Sequence, residues 1–309
     1  MKKLLCVLFA MLFLAGCAPK TPKAQRDIFA MDTLMNLQLW GEDADAAAED
    51  VETMLHHLEA RWSVTREESV TTGLNRGIRP EMTSQELALL SEVEALYQRT
   101  GGAFNPYLGE VSRLWGFYDK NYRVPSVEER DLAIQAGMLD MGAALKGYAG
   151  DMSVEILEAM DVDRAILNLG GNIQTYGSKP KGEPWQIGIA DPIRGGTLGV
   201  VTVEGTMSIV TSGSYQRYFD LDGVRYHHIM DGTTGAPADS GLVSVTVISR
   251  SGLTADALST ALFVMGLEKA VDFWRQSDDF EAVFVLADGA VYATAGVSLS
   301  GCEYQEISR

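Results

Sequence analysis

The sequence predicts an α+β fold, in which amphipathic helices come first and helices mixed with antiparallel strands follow. Two early segments carry apolar residues at the three- and four-residue spacing of a helix face. Two later segments place an Asp-Gly pair between runs of aromatic or β-branched residues, which is typical of β-hairpins. A parallel nucleotide-binding sheet would instead alternate strands and helices along the whole chain.

The early segments predict two helices. In the first, at 44–61, apolar residues recur every three or four positions from Val51 to Trp62. In the second, at 84–97, the same pattern follows Ser84, which is the expected N-cap. Each helix is expected to bury one face and leave the other in water.

The later segments predict strands and tight turns. A buried strand is expected at 165–169, because the run is apolar and breaks into the glycine pair 170–171. Hairpins are expected over 214–231 and 283–295, each with an Asp-Gly pair at its turn. Such turns need positive φ, which glycine adopts without steric cost.

The first residues predict an export signal at 1–16. Two lysines precede an apolar run that ends in small residues just before Cys17. The run is shorter than the roughly 18 residues that a membrane-spanning helix needs. A cysteine directly after the small pair indicates a lipoprotein signal, so Cys17 is expected to carry the lipid. A simple secreted protein or an uncleaved anchor is the alternative.

The rest of the chain is interpreted as a tether and one domain. The polar, proline-bearing segment at 17–27 is expected to hold the lipidated cysteine and to lift the folded body off the bilayer. Residues 28–309 contain no second linker or low-complexity tract, so they are expected to form a single domain. The expected location is the extracytoplasmic side of the cell envelope, with the protein anchored to the membrane.

Charge and cysteine content exclude several classes of function. The formal net charge is −17, and loss of the two signal lysines makes it two units more negative. Such a body is repelled by nucleic acid and by anionic lipid, so no nucleic-acid partner is expected and membrane contact should come from the anchor. Of the three cysteines, only Cys302 would remain as a free thiol, which excludes a disulfide framework and a cysteine metal site.

The strongest metal candidate is the pair Asp256 and Thr260, in a segment predicted to begin a helix that reaches Met265. The two residues are four apart, so a helix places their oxygens on one face. Hard oxygen donors without histidine or cysteine suit Mg²⁺, which completes its shell with water and phosphate. The alternative is that Thr254 or Asp256 caps the helix and Thr260 packs inside.

Two further segments are candidates for holding an anion. At 139–149 a small-residue turn leads into a predicted helix with Lys146 in its first turn, where free backbone amides bind anions. Gly170, Gly171 and Asn172 form either a tight turn or a place where phosphate approaches the backbone. Close packing of small residues explains the pattern at 139–149 equally well.

Neighbouring histidines follow the segment 210–215. His227 and His228 lie on a predicted strand, so their side chains are expected to point to opposite faces. At most one of them then enters a given pocket. The alternatives to catalysis are an exposed metal-binding pair and a histidine satisfied within the core.

Taken together, the segments resemble the ApbE family of flavin transferases, also called FAD:protein FMN transferases. The chain departs from the family pattern at Asp32, where glycine is usual, at Asn105, which replaces a frequent aspartate, and at Gly232, where proline is common. Trp62 is the nearest candidate for the aromatic that often covers the flavin. The resemblance covers nearly the whole mature chain and rests on eight segments in the family's order, namely 31–33, 103–106, 114–117, 140–147, 168–172, 211–215, 226–235 and 255–260.

The resemblance implies a T-fold-like α+β domain with FAD in a deep cleft and Mg²⁺ beside the diphosphate. By position, it assigns the metal to the backbone carbonyl of Ala143 and the side chains of Asp256 and Thr260, with Ser259 nearby. His228 is the first choice for a catalytic residue, and Asp256 is the alternative proton acceptor. The expected FAD-binding residues are Met31, Ala103, Phe104, Asn105, Asp140, Lys146, Gly170, Gly171, Asn172, Thr211, Ser212, Gly213 and Met230.

The implied reaction is the Mg²⁺-dependent transfer of FMN from FAD to a threonine or serine hydroxyl, with release of AMP. The expected acceptor is an exported flavoprotein subunit of a respiratory or electron-transfer complex. Water as the nucleophile would instead make the protein an FAD diphosphatase. A third reading is a non-enzymatic flavin-binding lipoprotein, which would need no site for a divalent metal.

Overall fold

The structure is a computed structural model that describes residues 23–309. The predicted signal at 1–16 and the lipidation site at Cys17 lie outside the described residues and remain predictions. Across 23–309, no helix combines the length and the apolar character that crossing a membrane requires.

Fourteen strands lie in the described part of the chain. They are β1 Ala24–Ala30, β2 Thr33–Gly41, β3 Val162–Leu169, β4 Asn172–Tyr176, β5 Trp185–Ala190, β6 Thr197–Val203, β7 Ser208–Gly213, β8 Tyr218–Leu221, β9 Val224–His227, β10 Leu242–Ser249, β11 Phe280–Leu286, β12 Val291–Thr294, β13 Ser298–Ser300 and β14 Gln305–Ile307. The main sheet has the order β1-β2-β3-β4-β7-β10-β11-β12-β14. Its pairs are antiparallel apart from β12 with β14. Two smaller sheets have the orders β13-β6-β5 and β8-β9.

The helices of 23–309 pack against the sheet and beside the cleft described below. They are α1 Ala44–Trp62, α2 Val70–Asn75, α3 Ser84–Arg99, α4 Gly109–Leu114, α5 Val127–Ala136, α6 Leu145–Glu158, α7 Gly252–Met265 and α8 Leu267–Arg275, with a short 3₁₀ turn at Pro180–Gly182. A core cluster joins α1 and α6 to β1, β2 and β3, and α7 packs on α6, β7 and β10. The predicted α+β fold is confirmed.

The predicted tether ends earlier than expected. Strand β1 begins at Ala24 and pairs with β2 along its whole length, so residues 24–27 belong to the sheet. Ala24, Ile28 and Ala30 are all buried, which gives the strand an apolar inner face. The alternation of buried and exposed residues in β1 is short and begins with a small alanine. The polar residues at 25–27 therefore made the segment read as part of the tether.

Both early helices are confirmed, but the second has a different cap. Helix α3 begins at Ser84, and Thr83 is its N-cap. The Thr83 hydroxyl accepts a hydrogen bond from the Glu86 amide at 3.2 Å, and the Glu86 carboxylate accepts one from the Thr83 amide at 2.8 Å. This reciprocal capping box satisfies two amides that the first helical turn leaves free.

The predicted hairpins are also confirmed, and others, including the β5–β6 hairpin, were not foreseen. The turns at Gly170-Gly171 and at Asp222-Gly223 have positive φ at both residues, and β11 and β12 pair across a third turn. An unpredicted hairpin joins β1 to β2 through Met31 and Asp32, with φ of 51° and 59°. The sequence hid this turn because it contains no glycine or asparagine, the usual residues for such angles.

Candidate functional site

A cleft of about 510 Å³ opens where several strand ends meet the start of α6 and the second and third turns of α7. The β1–β2 turn, the β3–β4 turn, the end of β7 and the base of the β8–β9 hairpin contribute one side of it. The rest comes from the segment around 103–118, from the start of α6 with the residues just before it, and from the second and third turns of α7. The cleft therefore collects residues from distant parts of the sequence.

Most of the residues assigned to the site by resemblance lie in this cleft. Its lining includes Met31, Ala103, Asn105, Asp140, Ala143, Lys146, Gly170, Asn172, Thr211, Ser212, His228, Met230, Asp256 and Thr260. Their individual roles stay predictions, but the structure brings them together.

Five residues assigned or considered for the site do not line the cleft. Phe104 and Trp62 are 1% and 2% exposed, and both side chains pack in the core cluster around α1. Gly171 faces open space, and a Cβ on Gly213 would meet the ring of Tyr215. Ser259 is fully buried, because it points from α7 toward β7 rather than along the Asp256–Thr260 face.

The metal candidate Asp256 is fixed by a close crossing of α6 and α7. One of its carboxylate oxygens, Oδ2, accepts a hydrogen bond from the Gly147 amide at 2.8 Å. A Cβ at Gly147 would lie 2.0 Å from the carbonyl oxygen of Gly252 and 2.6 Å from the Cβ of Asp256. Only glycine allows this approach, so the packing of the two helices determines where the carboxylate lies.

The alternative capping role for Thr254 or Asp256 is wrong. Ser251 caps α7 and accepts a hydrogen bond from the Thr254 amide at 3.1 Å. Asp151 accepts two more, from the amides of Gly252 at 2.5 Å and Leu253 at 2.9 Å. The first turn of α7 is therefore satisfied without Asp256, whose side chain lines the cleft.

The donor set at this crossing fits Mg²⁺. It combines one carboxylate from Asp256, the hydroxyl of Thr260 and the nearby backbone of Ala143, all of which line the cleft. Within 23–309 there is no cluster of three or more histidine, cysteine, aspartate or glutamate residues that could hold a metal. A set with so few charges suits a hard cation that keeps water and binds phosphate oxygens.

The position of the Thr260 hydroxyl is set by β7. Ser212 Oγ lies 3.2 Å from Thr260 Oγ1 and 2.8 Å from Ser259 Oγ. Ser259 Oγ in turn donates to the backbone oxygen of Asp256 at 2.9 Å. This chain of hydroxyl groups ties the cleft face of α7 to the sheet, which gives Ser259 a supporting place behind the site.

An anion can be held beside the metal candidate. The N-cap residue of α6, Ala144, makes no side-chain cap, and Asp256 accepts from the Gly147 amide of the first turn. Lys146 in the same turn lines the cleft. A helix start with a lysine offers positive charge to a phosphate group. Asn172 adds a donor, because its buried Nδ2 has no hydrogen-bond partner although the residue lines the cleft.

The two histidines differ in their hydrogen bonds as well as in direction. His227 Nε2 lies 3.1 Å from the Ala238 oxygen, and His227 Nδ1 accepts from the Ile229 amide at 3.3 Å. His228 Nδ1 lies 3.1 Å from the Arg217 carbonyl oxygen, which can only accept. Nδ1 of His228 therefore carries the proton, and its Nε2 keeps a free lone pair.

Burial keeps both imidazoles neutral. The pKa of His227 is below its usual value because the ring is desolvated. Burial in the cleft, with the positive charges of Arg217 and Lys146, lowers the pKa of His228 to about 3. His227 has both ring nitrogens engaged and serves the structure, whereas His228 lines the cleft as a neutral base.

Several cleft residues were missed by the sequence reasoning. Tyr118 donates a hydrogen bond of 2.5 Å to Asp140 Oδ2, and burial raises its pKa, so the hydroxyl stays protonated. Arg217 donates from its guanidinium to the Phe117 carbonyl oxygen at 2.9 Å. Tyr118 directly follows the recognised segment 114–117, and Arg217 lies two residues after the segment 211–215. Extending those two segments by one or two residues would have found both. The other missed lining residues are Asp32, Thr33, Leu108, Ser112, Phe117, Gly142, Gln216 and Ile229.

Comparison with known proteins finds a family model and similar chains. The model of the ApbE family matches residues 31–284. A Treponema pallidum protein named FAD:protein FMN transferase is 33% identical, over 95% of this chain and 92% of its own length. A Klebsiella pneumoniae protein of the same name is 34% identical, over 81% of this chain and 84% of its own length.

Solved structures show the same similarity. The Thermotoga maritima ApbE protein superposes with a TM-score of 0.79 at 33% identity, covering 87% of this chain and 96% of that one. The Pseudomonas stutzeri flavinyl transferase ApbE in its apo form gives a TM-score of 0.75 at 29% identity, covering 91% of this chain and 94% of that one.

Proposed function

The chain belongs to the ApbE family and is a flavin-transferring enzyme, and we propose that it moves FMN from FAD onto a threonine or serine hydroxyl of a partner flavoprotein. The proposed reaction needs Mg²⁺ and releases AMP. One observation carries this proposal: the donor pair Asp256 and Thr260 lines the same cleft as His228, whose Nε2 is free. A flavin-binding protein without activity would need neither feature.

The residues around the crossing of α6 and α7 have the chemistry to bind the diphosphate of FAD. Lys146 and the start of α6 offer positive charge, and Asn172 offers an unpartnered amide donor. Asp256, Thr260 and the Ala143 carbonyl would hold Mg²⁺. Bound there, the metal would neutralise charge on the phosphate oxygens and stabilise the leaving phosphate.

His228 is the proposed acceptor of the hydroxyl proton. The partner's hydroxyl oxygen forms a bond to the FMN-side phosphorus, the bond from that phosphorus to AMP breaks, and the proton passes to Nε2 of His228. The Arg217 carbonyl holds the imidazole in the required tautomer through Nδ1. Negative charge brought in by the substrate favours the protonated ring, so we expect the pKa of His228 to rise from about 3 when FAD binds.

The proposed acceptor is an exported subunit of a respiratory or electron-transfer complex. This proposal rests on the signal pattern at 1–16 and on Cys17, which we propose carries a lipid on the extracytoplasmic side. Strand β1 runs from Ala24 at the tether to Ala30 at the cleft, a distance of about 20 Å at the rise of an extended strand.

We expect Cys17→Ser to release the protein from membranes without loss of activity on a soluble acceptor, because the cleft does not use the anchor. Fractionation of cells and a transfer assay on the soluble fraction measure the two effects. The wild-type protein is the control. Continued membrane association of the variant would show an uncleaved helix instead of a lipid anchor.

The reaction is tested by incubating the protein with FAD, Mg²⁺ and the flavin-free domain of a bacterial flavoprotein that carries threonine-linked FMN. Mass spectrometry of the denatured acceptor should show added FMN, with AMP in equal amount. Free FMN and AMP with an unmodified acceptor would indicate an FAD diphosphatase. Intact FAD after prolonged incubation would indicate a flavin-binding protein.

A further inference from the structure

Two large apolar side chains are exposed at the lip of the cleft. Phe29 on β1 and Leu34 on β2 are 66% and 65% exposed, and they face each other as cross-strand partners. They flank the turn at Met31 and Asp32, and both turn residues line the cleft. The pair therefore forms an apolar surface that continues directly from the candidate site.

The middle of this hairpin face is polar. Asn36 donates to Asp27 at 2.7 Å, and Gln38 donates to Asn36 at 3.1 Å. At the far end of the face, Trp40 is partly buried against Trp185, so the exposed large apolar residues of this hairpin lie at its cleft end. A solvent-facing hairpin gains nothing from exposing two large apolar residues there, whereas binding sites commonly do so.

The neighbouring turn leaves room for an approaching protein. Gly171, beside the cleft residue Gly170, would have no atom within 4 Å of a Cβ. At this turn, next to Phe29 and Leu34, the surface consists of glycine backbone, and no side chain projects from it to block an approaching protein. A folded domain can come close to it while one of its segments enters the cleft.

We propose that Phe29 and Leu34 dock the folded body of the acceptor flavoprotein, through an apolar patch beside its acceptor hydroxyl. This inference rests on the proposed function, because a transfer to protein requires a second macromolecule at the cleft mouth. Docking on the lip would hold the acceptor segment at the cleft and raise its local concentration. An anionic membrane is disfavoured as occupant, because the chain carries a net charge of −17.

The test compares two matched pairs of exposed apolar residues. The double variant Phe29→Gln with Leu34→Gln removes the apolar lip while keeping two extended polar residues in the hairpin. The control is Leu221→Gln with Val224→Gln, a cross-strand pair 42% and 50% exposed that also flanks a turn with positive φ. Neither member of the control pair lines the cleft.

Initial rates are measured with the purified mature protein, FAD, Mg²⁺ and the flavin-free acceptor domain at varied concentration. The lip variant should raise the KM for the acceptor by about ten- to a hundred-fold, as truncation of interface hot spots does. Its KM for FAD and its kcat at saturating acceptor should stay within about two-fold of wild type. Its unfolding midpoint should stay within about 2 °C, because truncating exposed side chains leaves a stable fold intact. The control pair should change none of these quantities.

Three results would overturn the proposal. The first is an unchanged KM for the acceptor in the lip variant, or an equal rise in the control. The second is loss of binding to vesicles of phosphatidylglycerol and phosphatidylethanolamine without a change in that KM, which would assign the lip to the membrane. The third is conversion of a dimer to a monomer with unchanged KM, which would assign it to a second copy. Absence of any transfer by the wild-type protein would instead reject the proposed function.

Discussion

The two walls of the cleft are built in different ways. The helical wall comprises the first turn of α6 and the second and third turns of α7, and it presents Lys146, Asp256 and Thr260. The strand wall comprises the β1–β2 turn and the base of the β8–β9 hairpin, and it presents Asp32 and His228. The first carries the proposed metal donors and a positive charge, and the second carries the proposed base and the lip.

The helical wall is held by buried contacts. Gly147 and Gly252 let the two helices touch, and the Gly147 amide holds the Asp256 carboxylate. The strand wall is held by turns instead. Met31 and Asp32 have positive φ without being glycine, and the His228 ring is fixed by one carbonyl of Arg217. Left-handed backbone in such residues costs about 1–2 kcal/mol each and is found where function requires a particular direction.

This difference teaches where substitutions should act. Changes on the helical wall should affect both the metal donors and the fold, because the same contacts serve both. Changes on the strand wall should alter the transfer rate with little effect on the free energy of unfolding. The reason is that the His228 side chain projects from the turns that hold this wall together.

The largest effect is expected for Asp256→Ala on the helical wall. The variant should lose Mg²⁺-dependent turnover by about a hundred-fold or more, because the proposed site loses its one charged side chain. It should also lose about 1–3 kcal/mol of stability, because the buried Gly147 amide loses its acceptor. Rates as a function of Mg²⁺ concentration and urea unfolding measure the two effects.

The exposed Asp163 on β3 provides a matched control for that experiment. Asp163→Ala should change neither the rate nor the unfolding midpoint. Wild-type turnover and metal dependence in Asp256→Ala would show that the metal lies elsewhere.

The next effect compares the neighbouring histidines on the strand wall. His228→Ala should slow transfer by about 10²- to 10⁴-fold, the usual contribution of a positioned base, with little change in FAD affinity. His227→Ala should leave the rate nearly unchanged and cost about 1–3 kcal/mol of stability, because its two buried hydrogen bonds are lost. Single-turnover rates, FAD titration and urea unfolding distinguish the two variants.

A different outcome would reassign the proton acceptor. If His228→Ala weakens FAD binding but leaves the saturated rate unchanged, the imidazole is a binding contact. Asp256 or bound water would then accept the proton, and the chemistry would belong to the helical wall alone.

A smaller effect is expected from acid. The pKa of His228 is lowered in the folded protein. Below about pH 6.5, this imidazole therefore binds a proton in the unfolded chain but stays neutral in the native state. The stabilisation is complete above that pH and is lost as the pH falls toward the folded value of about 3. Between pH 7.5 and 5.5, His228→Gln should therefore lose about 1 kcal/mol less stability than wild type.

Urea unfolding at both pH values measures this difference. His56→Gln, an exposed histidine on α1, is the control and should follow wild type. If wild type and His228→Gln lose the same amount of stability between these pH values, the pH dependence of stability arises from groups other than His228.

The smallest effect is expected for Asp32→Gly in the β1–β2 turn. Glycine relieves the positive φ of 59° but adds freedom to the unfolded chain, so the gain should stay below about 1 kcal/mol. Because Asp32 lines the cleft, the KM for FAD should change as well. Thermal unfolding and steady-state kinetics measure both quantities.

The β8–β9 turn supplies the comparison for that variant. Asp222 has a φ of 52° and is outside the cleft lining, so Asp222→Gly should shift stability similarly and leave kinetics unchanged. Equal kinetics in both variants would show that Asp32 makes no contact with the substrate.

The sequence by itself determined the elements whose signals are local. Helical spacing fixed α1 and α3, the Asp222-Gly223 pair fixed a hairpin turn, and the four-residue interval put Asp256 and Thr260 on one face. These succeed because a helix or a two-residue turn sets side-chain direction within a few residues. The ordered segments of the ApbE family extended this to most of the cleft residues.

Only the tertiary structure decided what depends on partners far along the chain. It buried Phe104 although the residues on either side of it line the cleft. It also turned Ser259 toward β7 and left His228, rather than His227, with a free ring nitrogen. It also joined Tyr118 to Asp140 and made a turn of Met31 and Asp32. The physical reason is that burial, hydrogen-bond partners and the strain a turn can bear are set by contacts between distant segments, which no local spacing encodes.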